Sequence, residues 1–166
     1  MAACTVAQYH PHDFVVSAQT PGINPFSATP TAEFTHESGH RLTIPLFYCG
    51  DNQWRVRFAP PLTGKWSGAV HSRLEKKKKK ALDPVSCVEN DNPAVHGTFG
   101  IDPDNPQKFV WEDGMPVVPL GFEWDWLFAY HQNKPQECRK NIDLIAERGF
   151  NYIVTNLYAH EGFGKE

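Results

Sequence analysis

The stretch "PLGFEWDWLFAY", residues 119–130, sets two carboxylates, Glu123 and Asp125, among Phe122, Trp124, Trp126, Phe128 and Tyr130. Carboxylates exchange protons and bind hydroxyl groups, so their company decides what they can do. On an extended backbone successive side chains point to opposite faces. Phe122, Trp124, Trp126 and Phe128 would then share one face, and Gly121, Glu123 and Asp125 the other. Two arrangements fit this alternation: a core strand with a polar outer face, or a strand end whose carboxylates look into a pocket floored by aromatics. Neighbours on one strand cannot flank a scissile bond from opposite sides, so neither carboxylate is assigned as catalytic. Asp125 also suits the cap of a short turn or helix, and Glu123 an idle outer-face position. Trp126 and Phe128 are expected in the core, where large aromatics near a strand-to-helix turn pack.

The elements that must hold these residues follow from the period of the surrounding sequence. "KFVWEDGMPVVPLGF" reads as a hairpin with Asp113–Gly114 as its turn. In "PQECRKNIDLIAERGF" the residues Cys138, Ile142, Ile145, Ala146 and Gly149 form one stripe of an amphipathic helix. Pro135 suits its first turn, Glu137 and Arg148 oppose the appropriate dipole ends, and Gly149 suits a left-handed cap. "FNYIVTNLY" then reads as a strand. Strand, helix, strand is a βαβ unit, which predicts parallel pairing and a right-handed crossover. Two parallel strands and one helix cannot cover both faces of a parallel sheet, so the unit reads as the start of a larger α/β domain. Left so, it would expose Ile153, Val154 and Leu157 and fray or aggregate past about Pro106.

Upstream the texture is different. "DFVVSA", "TAEFTH", "RLTIPLFY", "QWRVRFA" and "GKWSGAV" are short alternating runs separated by turn residues such as "HESGH" and "CGDNQ". In "QWRVRFA", Trp54, Val56 and Phe58 fall on one face and Arg55 and Arg57 on the other, as in a half-buried antiparallel strand. This spacing predicts a β-sandwich of immunoglobulin-like layout. The predicted organisation is an N-terminal tail over 1–12, a sandwich over 13–105 with a lysine-rich insert at 73–92, and an incomplete βαβ portion over 106–166. "VHGTFGIDP" after the insert is expected to supply a strand that closes the sandwich.

Composition narrows the function classes. Hydrophobic residues make up 40% and aromatics 13% of the 166 residues, enough for a real core. No apolar run approaches the length of a bilayer-spanning helix, and "MAACTVAQYHPHDF" lacks the basic region and apolar stretch of a signal peptide. No membrane association is expected. Cys4, Cys49, Cys87 and Cys138 lie far apart without a CxxC pair, as expected of free thiols. His10 and His12 have no second cluster to complete a metal site, and neither metal nor cofactor is expected. Five lysines, Lys76–Lys80, stand in one block although the formal net charge is −3, so the rest of the chain is acidic. Self-repulsion makes the block a solvated loop. No aromatic or arginine cluster flanks it to build a nucleic-acid groove.

The pieces "FAPPLTGKWSG" and "FVWEDGMPVVPLGFEWDWLF", with "HDFVVSAQTPGINPF" before them and "ERGFNYIVTNLY" after, carry a resemblance. The chain resembles bacterial proteins in which an N-terminal sandwich, domain of unknown function 5060, precedes a (β/α)8 barrel of the apiosidase-like putative glycoside hydrolases. The likeness spans nearly all of the chain except Met1–Tyr9 and Arg73–Asn92, and the lysine block departs from the expected strand-and-turn pattern. It implies an immunoglobulin-like β-sandwich followed by a truncated start of a TIM barrel, within an exported enzyme, extracellular or periplasmic, that acts on carbohydrate. Strand one would be Val117 to about Phe122 and strand two Tyr152 to Leu157. Barrel active sites lie at the C-terminal ends of the strands. Glu123, Trp124, Asp125, Asn156 and Tyr158 would then contact substrate, with His160 and Glu161 nearby, and the catalytic carboxyl groups would come from later strands. The alternative is a non-catalytic sandwich module that binds carbohydrate or protein.

Overall fold

The computed structural model describes residues 3–19, 24–71 and 80–156. The chain divides into two compact units, Met1–Gly100 with Trp111–Met115, and Ile101–Val110 with Pro116–Glu166. The described residues are mostly β and form no closed barrel. Among the described residues no helix is long and apolar enough to cross a membrane.

The first unit is built from β1 (Cys4–Ala7), β2 (His12–Ser17), a 3-10 turn at Pro25–Ser27, β3 (Thr31–His36), β4 (Arg41–Pro45), β5 (Phe47–Gly50), β6 (Gln53–Phe58), β7 (Gly64–His71), β8 (Lys80–Ala81) and β9 (Val85–Val88), with β10 (Phe99–Ile101) at its end. One sheet runs β1-β9-β7-β3-β4, with β8 also on β7, and the other runs β2-β6-β5. Pairing is antiparallel except for β1, which lies parallel to β9.

Period-two alternation explains why these segments are strands and where their core sits. Ala32, Phe34 and His36 of β3 are buried, as are Trp54, Val56 and Phe58 of β6. The Phe34 and Phe58 rings stack across the two sheets with centroids 4.0 Å apart, and Phe58 meets Trp66 edge-on at 5.1 Å. The two sheets therefore face each other over one core, each fully buried large side chain contributing about 1.5–3 kcal/mol. Arg55 and Arg57 take the outer face as expected. Arg57 grips Asp13 through Nε at 2.7 Å and an Nη at 2.8 Å. The "CGDNQ" turn joins β5 to β6 with Asp51 and Asn52 both at positive φ, a conformation that Asx residues tolerate.

Among the described residues His36 is a histidine buried in the core. Its Nδ1 accepts from the Ser38 backbone at 3.2 Å, which leaves Nε2 to donate to the Thr63 carbonyl at 3.0 Å. A buried polar side chain satisfied in this way is structural.

Several expectations are corrected here. β1 falls in the stretch 1–12 read as a tail, because four residues are too few to display alternation. β9 falls inside the polar stretch 73–92, yet Val85 and Cys87 are buried in the core. It fills the place expected of "VHGTFGIDP", whose strand β10 belongs to neither of the two facing sheets. Lys76–Lys79 lie outside the described residues, and Lys80 is exposed in β8.

In the second unit, β11 (Phe109–Trp111) and β12 (Pro116–Val117) pair antiparallel, Phe109 opposite Val117, on either side of the predicted Asp113–Gly114 turn. β13 (Gly121–Glu123), α1 (Leu127–Asn133), α2 (Pro135–Glu147) and β14 (Tyr152–Val154) follow. β13 and β14 are parallel, as the strand–helix–strand order requires. Pro135 opens α2, Glu137 lies in its first turn, and Gly149 ends it at φ +86°. Of the predicted stripe only Cys138 is buried, while Ile142 is 38% exposed. The single strand expected over Val117–Phe122 is instead two short ones, and the aromatic alternation does not continue past Glu123. "LFAYHQN" takes helical geometry, which turns Phe128 outward to 54% exposure rather than into a core. Leu, Ala and Gln are good helix formers, and that local preference prevails over an accidental period of two.

Candidate functional site

The candidate residues gather at one end of the parallel pair. Register sets Gly121 opposite Tyr152, Phe122 opposite Ile153 and Glu123 opposite Val154. Beyond the strands the contact continues: the Trp124 N–H donates to the Val154 carbonyl at 2.8 Å, and the Thr155 hydroxyl to the Asp125 carbonyl at 3.4 Å. Glu123, Trp124, Asp125 and Asn156 therefore all sit at the C-terminal ends of β13 and β14. Asn156 is half-buried, and Tyr158, His160 and Glu161 lie outside the described residues.

The two faces of the pair differ. Gly121, Glu123, Tyr152 and Val154 share one face by alternation. There the Tyr152 ring lies directly over Gly121, where any Cβ would collide with it. Phe122 takes the other face and meets Phe150, just past α2, edge-on at 5.4 Å.

A cavity of about 680 Å³ has Phe122, Glu123, Trp124, Tyr130, Asn141 and Arg148 in its walls. Trp124 packs on the Tyr130 ring at 5.5 Å. Tyr130 is held in turn by its hydroxyl, which donates to Glu137 at 2.8 Å. That bond raises the Tyr130 phenol above its ordinary value and lowers the Glu137 carboxyl, which Lys134 at 3.5 Å lowers further. Tyr130, Asn141 and Arg148 are cavity residues that the sequence reading passed over. The available signal for the last two was spacing: Asn141, Ile145 and Arg148 recur at i, i+4 and i+7 along α2 and its C-terminal cap. Asp125 and Asn156 do not line the cavity.

Aromatic rings beside a carboxylate, an amide and a guanidinium can hold a polyhydroxylated ring, stacking on its apolar face and bonding its hydroxyls. Among the described residues that line the cavity, Glu123 carries the one carboxyl group. Among the described residues no group of three or more His, Cys, Asp or Glu side chains could hold a metal ion.

The family named domain of unknown function 5060 matches residues 5–73, within the first unit. Among solved structures, the chain is similar to the crystal structure of a putative glycoside hydrolase from Bacteroides vulgatus ATCC 8482. The likeness has a TM-score of 0.72 at 22% identity and covers 92% of this chain. At that identity it is a likeness of fold, and the chain spans only 28% of that protein's length. No curated protein matches the chain.

Proposed function

We propose that the chain is the N-terminal part of a glycoside hydrolase, in which an immunoglobulin-like sandwich supports a (β/α)8 barrel of the apiosidase-like kind that begins near Pro106. The parallel pairing of β13 with β14 carries this reading, because it sets Glu123, Trp124, Asp125 and Asn156 together at the strand ends where barrel enzymes bind substrate. The fold likeness to the Bacteroides vulgatus protein supports it. Glu123, Trp124, Asp125, Asn156 and Tyr158 form one wall of a sugar subsite, with carbohydrate as the substrate class. In a barrel the helices cover the outer face of the strands, so the face on which Phe122 meets Phe150 is the packing side and the strand ends are the binding side. Trp124 stands where the two meet. The catalytic acid and its partner carboxylate come from later strands of the longer protein, which belongs outside the cytoplasm, where polysaccharides lie.

A second reading, a carbohydrate- or protein-binding module, is favoured by the confinement of the family match to the first unit. One experiment separates the two. The reading frame is extended past Glu166 in the source DNA, and the longer protein and the 166-residue chain are assayed against a polysaccharide panel for release of reducing ends. Release by the longer protein alone supports the hydrolase. A stop codon at that point, with the chain retained on a polysaccharide, transfers the assignment to the binding module.

A further inference from the structure

A group of side chains outside the candidate site ties two segments of the first unit together. His96 Nδ1 lies 2.6 Å from Asp113 Oδ2. Glu112 Oε2 accepts from the Thr98 N–H at 3.1 Å and from the Thr98 hydroxyl at 3.0 Å, and the Glu112 N–H donates to the Thr98 carbonyl at 2.8 Å. The other Asp113 oxygen accepts from the Met115 N–H at 3.0 Å, closing the turn on itself. The His96 ring stacks over Trp111, with centroids 6.0 Å apart and planes 27° from parallel. Between the two anchors only glycine fits. Gly97 sits at φ +82°, and a Cβ there would come within 2.7 Å of both the Tyr9 ring and Glu112 Oε2.

This close fit involves a particular piece of chain. Trp111–Met115 is the short segment by which the chain re-enters the first unit after leaving it at Gly100 and before leaving it again at Pro116. We infer that His96 and Asp113, with Thr98 and Glu112, form an acid-released clasp that holds this re-entry segment to residues 96–98 at neutral pH and frees it in acid while the two facing sheets stay folded.

The geometry sets the sign. An ionised Asp113 accepts from His96 Nδ1–H whichever charge the ring carries, so the clasp tolerates alkali. The Met115 N–H and His96 hold the Asp113 carboxyl below the usual carboxylate range. A group depressed in the folded state gives stability that is present above its ordinary value and lost as pH falls toward the depressed one. The other titratable groups around it are Glu112, Tyr9 and, beyond Tyr9, Cys87. Burial pushes the Tyr9 hydroxyl and the Cys87 thiol upward, and the two acids push Tyr9 further, so both keep their protons throughout the acid range.

The test is amide exchange on the full chain, read residue by residue as protection relative to intrinsic rates, from pH 7 down to about pH 3, where ordinary carboxylates have begun to protonate. Protection at Thr98 and Glu112 is expected to fall by up to about tenfold for each unit of the depression that His96 causes, and protection at Met115 with the Asp113 turn bond, while the β3 amides keep theirs. Asp113→Ala should show the reduced protection already at pH 7. His96→Phe keeps a ring for Trp111 but removes the donor, and it should do the same at Thr98 and Glu112. Unchanged protection in acid, variants indistinguishable from the parent, or loss of β3 protection at the same pH would each overturn the clasp.

Discussion

Asn151 is bonded to Leu120 twice: its side-chain oxygen accepts the Leu120 N–H at 2.9 Å, and its own backbone N–H donates to the Leu120 carbonyl at 3.0 Å. The side-chain amide donates once more, to the Val118 carbonyl at 2.9 Å. One asparagine thus extends the β13–β14 ladder back by a step and fixes the register that sets Glu123 opposite Val154. Asn151→Ala is expected to cost about 1–3 kcal/mol, the loss of two side-chain bonds at a backbone left partly unpaired. Chemical denaturation of the intact chain followed by amide exchange at Phe122, Trp124 and Ile153 reads this unit. An unchanged midpoint would show that β13 holds its register without Asn151.

The facing sheets give a sharper contrast. Phe34→Ala removes a fully buried ring stacked on Phe58 and is expected to destabilise the first unit by about 3–5 kcal/mol. Val15→Ala, on the 53% exposed outer face of β2, should stay within about 0.5 kcal/mol. Urea midpoints of the two variants check the difference, and comparable losses would mean that the Phe34–Phe58 stack does not anchor the core.

Asp13 offers a pH-dependent control on the outer face. The Arg57 side-chain bond, aided by the charges of Arg57 and Arg55, holds its carboxyl below the usual value. Its contribution is therefore present above the ordinary Asp range and disappears as pH falls through the depressed value. Asp13→Asn is expected to lower the midpoint slightly at pH 7 in low salt, less so in high salt, and not at all at pH 2. A deficit that persists at pH 2 would point to packing rather than charge.

The four thiols should separate by accessibility. Cys49 is exposed, Cys4 half-buried, and Cys87 and Cys138 buried, and burial raises the Cys87 thiol above its ordinary value. A thiol-reactive disulfide should modify Cys49 first and Cys4 more slowly, reaching Cys87 and Cys138 only when the chain unfolds. Peptide mapping after timed quenching assigns the order. Early modification of Cys138 would show that α2 opens in the native chain.

Legibility in the sequence followed the amount of periodic signal each element carries. Strand β6 was readable because Trp54, Val56 and Phe58 alternate with two arginines over a full strand. Helix α2 was readable because proline, an early glutamate and a terminal glycine mark its ends. Strand β9 was hidden, since "VSCV" offers two core positions inside a polar stretch and its burial depends on β1 and β7, far away in sequence. Helix α1 was misread because Phe122, Trp124, Trp126 and Phe128 alternate by coincidence across a strand end, a turn and a helix start. At the candidate site, the strand-end position of Glu123 and Trp124 was legible. The walls that Asn141 and Arg148 supply were not, because a helix face becomes a cavity wall only once its packing against the strands is known.

The parallel contact of β1 with β9 fixes when the large sheet can be finished. Cys4 must wait for Val85, and Ala7 for Val88, before the first strand has a partner. During synthesis the N-terminal strand leaves the ribosome early and stays an unpaired edge until nearly the whole first unit has emerged. Contacts of such long sequence separation slow folding, because the chain entropy is lost before the pairing is gained. A translational pause shortly after Val88 clears the ribosome exit tunnel would let this sheet close before the second unit follows it out.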